Sequence, residues 1–434
     1  MRSVLEPSSN SGAPSGITLT VDLSQRRQAV TSFGGAFNEQ GWQALAALNP
    51  VDREAALRAL FDREIGLGFD YCRVPIGASD YAIDRYTLDE SPADYQMAHF
   101  SIERDQQRLI PYLKAARRVR PDLKFWASAW TPPTWMKTPA TFDGGAFKDD
   151  PAIYGAYALY LARFVESYAE QGLPISMVVP QNEPQTLTHY PSCDWTPAQY
   201  VKFLRDYAGP LFKQRGLNTQ LFVGTINFES WDLSSVLRAP GVAQYVSGVA
   251  IQWGGIAHAA DIRASWPELP IMQSETECGN NPGEPGFNPD HAANDFSYAA
   301  HTWRKLRDFF RAGASSYMLW NMVLDEQGKN LDSPRPWPQN SAIVVDRRNK
   351  RVIYTPMFWA TKHFSRLVAR GGRLVRSDSA YEDQVVFLNP DGTVVVELSN
   401  TSNAIVSLNV AVDGYSRAIT LPPRSFASLL LPPA

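Results

Sequence analysis

The sequence predicts an α/β fold: a (β/α)8 TIM barrel with an appended β-sandwich-like domain formed from both chain ends. Three observations point to it. Eight short apolar segments alternate with helical patterns between residues 29 and 370, the rhythm of a parallel barrel. From about residue 374 the texture changes to strand-like runs separated by turn residues. Ahead of the barrel, Ile17, Leu19, Val21 and Leu23 alternate with polar residues, which suits a half-exposed strand. The expected division is therefore 1–16 disordered, 17–28 a strand given to the β-domain, 29–370 the barrel and 371–434 the C-terminal β-domain. A doubly wound sheet competes, but Phe33-Gly34-Gly35-Ala36 opens no G-x-G-x-x-G fingerprint.

The barrel strands are expected at 29–36, 69–77, 124–130, 175–182, 220–227, 248–254, 270–276 and 315–323. Each is a mostly apolar run of strand length, as buried parallel strands require. Between them, residues 50–63 read as a helix, with Asn49 as cap and Pro50 in the first turn. A second starts near Ser101 and carries Leu109, Tyr112, Leu113 and Ala116 on one face. Residues 151–171 place Tyr157, Leu161, Phe164 and Tyr168 near helical spacing and stop at Gly172. Further helices begin at Thr196-Pro197, span 294–311 before Gly313, and close the series at 356–368. Beyond them, Asn389-Pro390-Asp391-Gly392 joins two apolar runs as a hairpin.

Composition narrows the function classes. The chain has 434 residues, 44% hydrophobic and 20% charged, an ordinary globular balance. A net charge of −3 gives no electrostatic footprint for nucleic acid. Cys72, Cys193 and Cys278 show no zinc or disulfide-framework spacing. A Cys193–Cys278 bridge stays open, with buried thiols the simpler reading. The six histidines form no H-x-H or H-E-x-x-H, so neither metal nor cofactor is expected. No run is long and apolar enough for a membrane span. Residues 1–16 lack the apolar core of a secretory signal, which leaves a cytoplasmic protein or one exported with its signal already removed. The oligomeric state is not legible.

The chemistry concentrates at strand ends. In such a barrel the active site lies at the C-terminal ends of the strands. The apolar run 175–179 stops at Asn182-Glu183-Pro184, and the run 269–272 leads to Ser274-Glu275. These two carboxylates close the fourth and seventh strands, which suits glycosidic-bond cleavage by an acid and an ionised partner. Glu277 rivals Glu275, because residues two apart on a continuing strand share a side. Glu39, after the first strand, is a third acidic group that orders the pocket or binds substrate. Trp130 and Trp320, late on their strands, are candidate sugar platforms; Trp126 and Trp253 divide between pocket and core. Arg73 on the second strand is costly to bury unpaired and is expected to meet a pocket carboxylate. Asp80 and Asn182 could hydrogen-bond sugar hydroxyls.

These stretches resemble glycoside hydrolase family 30, the family of the glucosylceramidases. The likeness runs through Phe33-Gly34-Gly35-Ala36, Arg73-Val74-Pro75, Asp80, Ala127-Ser128-Ala129-Trp130-Thr131-Pro132-Pro133-Thr134-Trp135, Asn182-Glu183-Pro184, Ser274-Glu275, Trp320-Asn321 and Pro356-Met357-Phe358. It implies Glu183 as acid/base and Glu275 as nucleophile of a retaining mechanism, with Asp80, Trp130, Asn182 and Trp320 lining the sugar subsite. Two departures stand out. Phe37-Asn38-Glu39 replaces the Thr-Asp usual after the glycines, and Gln252-Trp253-Gly254 replaces His-Trp-Tyr, a loss expected to open the pocket near the nucleophile. The resemblance implies a carbohydrate-binding partner site and an exo-acting enzyme on β-glucosides, β-xylosides or β-fucosides. The alternative is an endo-acting hydrolase of β-1,6-linked glucan or galactan; a non-catalytic carbohydrate-binding barrel is the reading from another class.

Overall fold

The computed structural model describes residues 16–433, so the segment expected to be disordered lies, but for Gly16, outside the described residues. β1 (Thr18–Ala29) precedes the barrel. Four barrel strands follow: β2 (Ser32–Ala36), β3 (Tyr71–Ile76), β4 (Lys124–Ala129) and, past a short hairpin of β5 (Lys137–Thr138) and β6 (Ala146–Phe147), β7 (Ile175–Val179). β8 (Gln220–Ile226), β9 (Val246–Gln252), β10 (Ile271–Thr276) and β11 (Ser316–Asn321) complete it. All eight are parallel, and β11 pairs with β2 to close the ring.

Local sequence explains the elements. A Cβ on Gly34 would meet the Tyr71 carbonyl oxygen at 1.8 Å, so only glycine lets β2 and β3 approach this closely. Asn49 accepts from the Asp52 amide at the start of helix Pro50–Phe61, and Asp150 caps Pro151–Glu170. Thr196 and Gln199 form a reciprocal capping box on Pro197–Lys202. Gly313, at φ 111°, ends helix Phe296–Ala312. The structure adds elements that the sequence pattern hid. Helix Glu39–Ala46 follows β2 directly, with Gly41 diluting its helical signal. Helices Leu233–Arg238 and His258–Ser265 are too short to show a period.

Trp126, Met177, Val179, Phe222, Ala250, Met272 and Met318 pack as a cluster of their own on the barrel strands, which answers Trp126 as core. Beyond β11, a small sheet of β12 (Val323–Asp325), β13 (Ile343–Asp346) and β14 (Arg351–Tyr354) leads to the last helix, Pro356–Leu367. Six strands follow: β15 (Arg373–Asp378), β16 (Gln384–Leu388), β17 (Val394–Asn400), β18 (Val406–Val412), β19 (Tyr415–Leu421) and β20 (Ser425–Leu431). They join β1 in the order β19-β18-β1-β15-β16-β17-β20. β1 sits inside this sheet, antiparallel to β15 and parallel to β18, so the two chain ends share one core that includes Leu19, Val21, Val396 and Leu408. All three cysteines are free and buried, which rules out the Cys193–Cys278 bridge. Among the described residues no helix is long and apolar enough to cross a membrane, and no three metal-type side chains cluster.

Candidate active site

Glu183 leaves the end of β7 in a left-handed conformation, φ 45°, which a non-glycine residue rarely holds without support. The support is local: its amide donates to the Thr225 carbonyl at 3.1 Å, and the Asn182 amide donates to the Ala129 carbonyl at 2.6 Å. Among the described residues its carboxylate hydrogen-bonds neutral groups, Asn227 Nδ2 at 2.7 Å and the Tyr190 hydroxyl at 3.5 Å. Burial pushes Glu183 up to about 8, reinforced by the charges of Glu275 and Asp80.

Glu275 stands in a different field. Arg73 Nη1 donates to its Oε2 at 2.5 Å and Gln252 Nε2 donates to the same oxygen at 3.1 Å, and the Trp253 side chain also favours the ionised carboxylate. Burial raises Glu275 too, but Arg73 opposes that rise through both charge and hydrogen bond. When two buried carboxyls share a site, the proton goes to the one without a cation. That one is Glu183.

Arg73 is fully buried, yet every face of it is used. Its Nε donates to Ser128 Oγ at 2.9 Å and its Nη2 to Asn182 Oδ1 at 2.6 Å. The guanidinium lies 4.9 Å from the Trp126 ring, 4.2 Å from Trp130 and 5.5 Å from Trp320. Trp130 and Trp320 stack at 5.1 Å. Asn182 Oδ1 also accepts from Thr225 Oγ1 and Gln252 Nε2, which fixes the amide and leaves its nitrogen without a protein acceptor among the described residues. Asp80 Oδ1 is buried without a hydrogen-bond partner among the described residues, and the Trp320 side chain favours the ionised carboxyl. Burial and the Glu275 charge push Asp80 up to about 8. A buried, unpartnered oxygen beside stacked indoles is what a sugar hydroxyl would satisfy.

The structure thus joins Glu183, Glu275, Arg73, Asp80, Asn182, Trp130, Trp253 and Trp320 in one network at the strand ends. Glu39 stands apart from this network: it opens helix Glu39–Ala46, where both carboxylate oxygens are taken by Arg104, with Ile83 N–H and Arg108 alongside, so it braces the loop carrying Asp80, the pocket-ordering role. Phe37 likewise packs on Phe61, Tyr112 and Phe125, away from the site. Glu277 is held by His301 and Lys305 instead of facing Glu183. Sequence reasoning missed Asn227, Tyr190 and Thr225. Asn227 and Thr225 could have been found by the strand-end rule that found Glu183. Tyr190, in an irregular loop, carries no such signal.

A neutral carboxyl and a cation-held carboxylate in one site can protonate a leaving oxygen and attack the carbon it leaves. The family model described as "Glycosyl hydrolase family 30 TIM-barrel domain" matches residues 30–368, and "Glycosyl hydrolase family 30 beta sandwich domain" matches 376–429. Lysosomal acid glucosylceramidase of Mus musculus is 28% identical over 421 residues, 91% of this chain and 79% of that protein. Endo-1,6-beta-D-glucanase neg1 of Aspergillus fumigatus is 23% identical over 458 residues, covering 98% and 90%. The solved structure of SrfJ from Salmonella typhimurium superposes with a TM-score of 0.87 at 22% identity, covering 98% of this chain and 94% of that one.

Proposed function

Because the chain belongs to glycosyl hydrolase family 30 and is a glycoside hydrolase, we propose that it is a retaining, exo-acting β-glycosidase for β-glucosides, β-xylosides or β-fucosides. Glu275 attacks the anomeric carbon as the glycosidic bond breaks, and Glu183 gives its proton to the departing oxygen. Glu183 then takes a proton from water, which attacks the glycosyl-enzyme and frees Glu275. The observation that carries this reading is the asymmetry of the pair: Arg73 binds Glu275 directly, while Glu183 has only neutral hydrogen-bond partners and is raised to about 8. Asp80 and the Asn182 amide nitrogen hold sugar hydroxyls, with Trp130 and Trp320 beside the ring.

The exo-acting reading is supported by enclosure. Trp130, Trp320, Asp80, Glu183 and Glu275 are between 2% and 8% exposed, which suits a pocket for one terminal sugar. The second reading, an endo-acting hydrolase of β-1,6-linked glucan, is favoured by the glucanase relative, which aligns with more of this chain than the glucosylceramidase does. Release of p-nitrophenol from the β-glucoside, β-xyloside, β-fucoside and β-galactoside tests the choice. One clear winner supports the exo-glycosidase; silence on all four with cleavage of β-1,6-glucan supports the endo-enzyme. Binding without cleavage of any of them would leave the non-catalytic barrel.

A further inference from the structure

We propose that Lys305 and His301, acting through Glu277, brace and charge-balance the Glu275 side of the site, which makes Glu277 and Lys305 positioning residues for the hydrolysis. The inference rests on Glu275 being the nucleophile.

Glu277 lies two residues beyond Glu275 and is buried. Its Oε2 meets His301 Nε2 at 2.5 Å and the Gly279 amide at 2.8 Å, and its Oε1 lies 3.4 Å from Lys305 Nζ. Arg304 Nη2 donates to His301 Nδ1 at 3.2 Å, which puts the ring proton on Nε2, where it is donated to Glu277. Lys305 also donates to the Trp253 carbonyl at 3.3 Å, and the Trp253 side chain favours the ionised form of Glu275. One ammonium therefore ties the end of β10, with Glu275, to the end of β9, with Trp253. His301 and Lys305 are four apart on helix Phe296–Ala312 and so share a face.

The arrangement has an electrostatic consequence. Burial pushes Glu277 up, but the His301 hydrogen bond and the Lys305 charge bring it below its ordinary value, so it is ionised. Its charge opposes ionisation of Glu275. Lys305 faces that charge directly, so the Glu277–Lys305 pair is neutral. The other titratable or charged groups around these two carboxylates are Arg73, Asp80, Glu183, Cys278, Tyr317 and, behind His301, Arg304, and none of them contacts Glu277 as Lys305 does.

The test is the pH dependence of kcat/KM for the full chain, on whichever of the four p-nitrophenyl β-glycosides the wild type cleaves fastest. The acidic limb reports Glu275 in the free enzyme. Lys305→Met leaves Glu277 uncompensated and should move that limb up by roughly one pH unit. Glu277→Gln removes the negative charge, leaves Lys305, and should move it down by about as much. The double variant, neutral again, should return close to the wild-type position, as should Lys305→Arg. A brace with no charge role would lower kcat/KM at every pH while the limb stayed still. A stationary limb in both single variants, or movement in the same direction, overturns the proposal. If either single variant fails to fold by circular dichroism, the double variant against Lys305→Arg decides it: a limb displaced between those two overturns the balance. Full activity in Glu275→Gln would instead overturn the reading of Glu275 itself, whatever the limbs do.

Discussion

The Arg73 guanidinium donates to Glu275 Oε2 at 2.5 Å, and no nitrogen of Arg73 hydrogen-bonds Glu183. The same arginine fixes Asn182, the residue next to Glu183, so a single buried cation sets both the charge of one carboxylate and the place of the other. Different behaviour of the two glutamates follows from that contact.

Arg73→Met should therefore do two separable things. Stranding Glu275 in a buried site costs on the order of 3–5 kcal/mol of stability, because an uncompensated charge remains. It also removes what opposes the burial of Glu275, so the acidic limb of kcat/KM should rise. Arg73→Lys should recover part of the charge effect but not the geometry, since an ammonium cannot reproduce the planar fork to Glu275, Asn182 and Ser128. Thermal unfolding and pH–rate profiles read the two effects independently.

Glu183 must be protonated to act as the acid, so activity should fall as pH rises through about 8. In Glu183→Gln that alkaline limb should vanish. The loss of rate should depend on the leaving group: small for a 2,4-dinitrophenyl β-glycoside, and about 100-fold or more for a methyl β-glycoside, whose oxygen needs the proton. Comparing kcat/KM across these substrates checks it.

Gly254 tests the departure from the family pattern. The tyrosine expected there is absent, and a Cβ at this position would meet the Asn227 carbonyl oxygen at 2.4 Å and its Oδ1 at 2.7 Å. Gly254 N–H also donates to that Oδ1, at 2.8 Å. Gly254→Ala should push Asn227 off Glu183 Oε1 and lower kcat/KM severalfold or more. Gly254→Tyr should not restore a glucosylceramidase-like site, because the backbone here is built without a side chain. Steady-state rates with a crystal structure of the alanine variant check both statements.

Away from the site, Glu397 on β17 is fully buried: its Oε2 accepts from Ser428 and lies 3.7 Å from His363 Nδ1, and its Oε1 has no hydrogen-bond partner among the described residues. Burial raises it to about 8. A carboxyl whose folded value lies above its unfolded value binds its proton more tightly in the native state. Stability is then fullest below the unfolded value near 4.5 and declines as pH rises towards 8. Glu397→Gln should flatten that decline, so melting temperatures measured at pH 4.5 and pH 8 should differ less in the variant than in the wild type.

Much of this was legible because buried parallel strands advertise themselves. Unbroken apolar runs ending at Asn182-Glu183-Pro184 and Ser274-Glu275 marked the strand ends, and the barrel closure turned those ends into neighbours. Glu39 left two roles open because a strand-end acid and the first residue of a capped helix look alike in sequence. Glu277 was ambiguous for a geometric reason: a strand in regular alternation would place it beside Glu275. The pairing of β10 slips on both sides around Glu275 and Thr276, and Glu277 instead meets the helix Phe296–Ala312. Of the partners of the two carboxylates, Arg73 was legible as a buried cation on a strand that needs a counter-charge, and the others were not. Asn227, Tyr190, Gln252 and Lys305 reach them across the ring, and no sequence spacing encodes those distances.

Azide rescue tests the central assignment most directly. With Glu275→Gly and an activated aryl β-glycoside, azide should enter the space left by the carboxylate and attack from the opposite face to the leaving group, giving the α-glycosyl azide. In Glu183→Gly it should intercept the glycosyl-enzyme and give the β-glycosyl azide. An α-azide from the Glu275 variant, identified by proton NMR, is the predicted result; a β-azide from that variant would make Glu275 the acid/base and contradict the account.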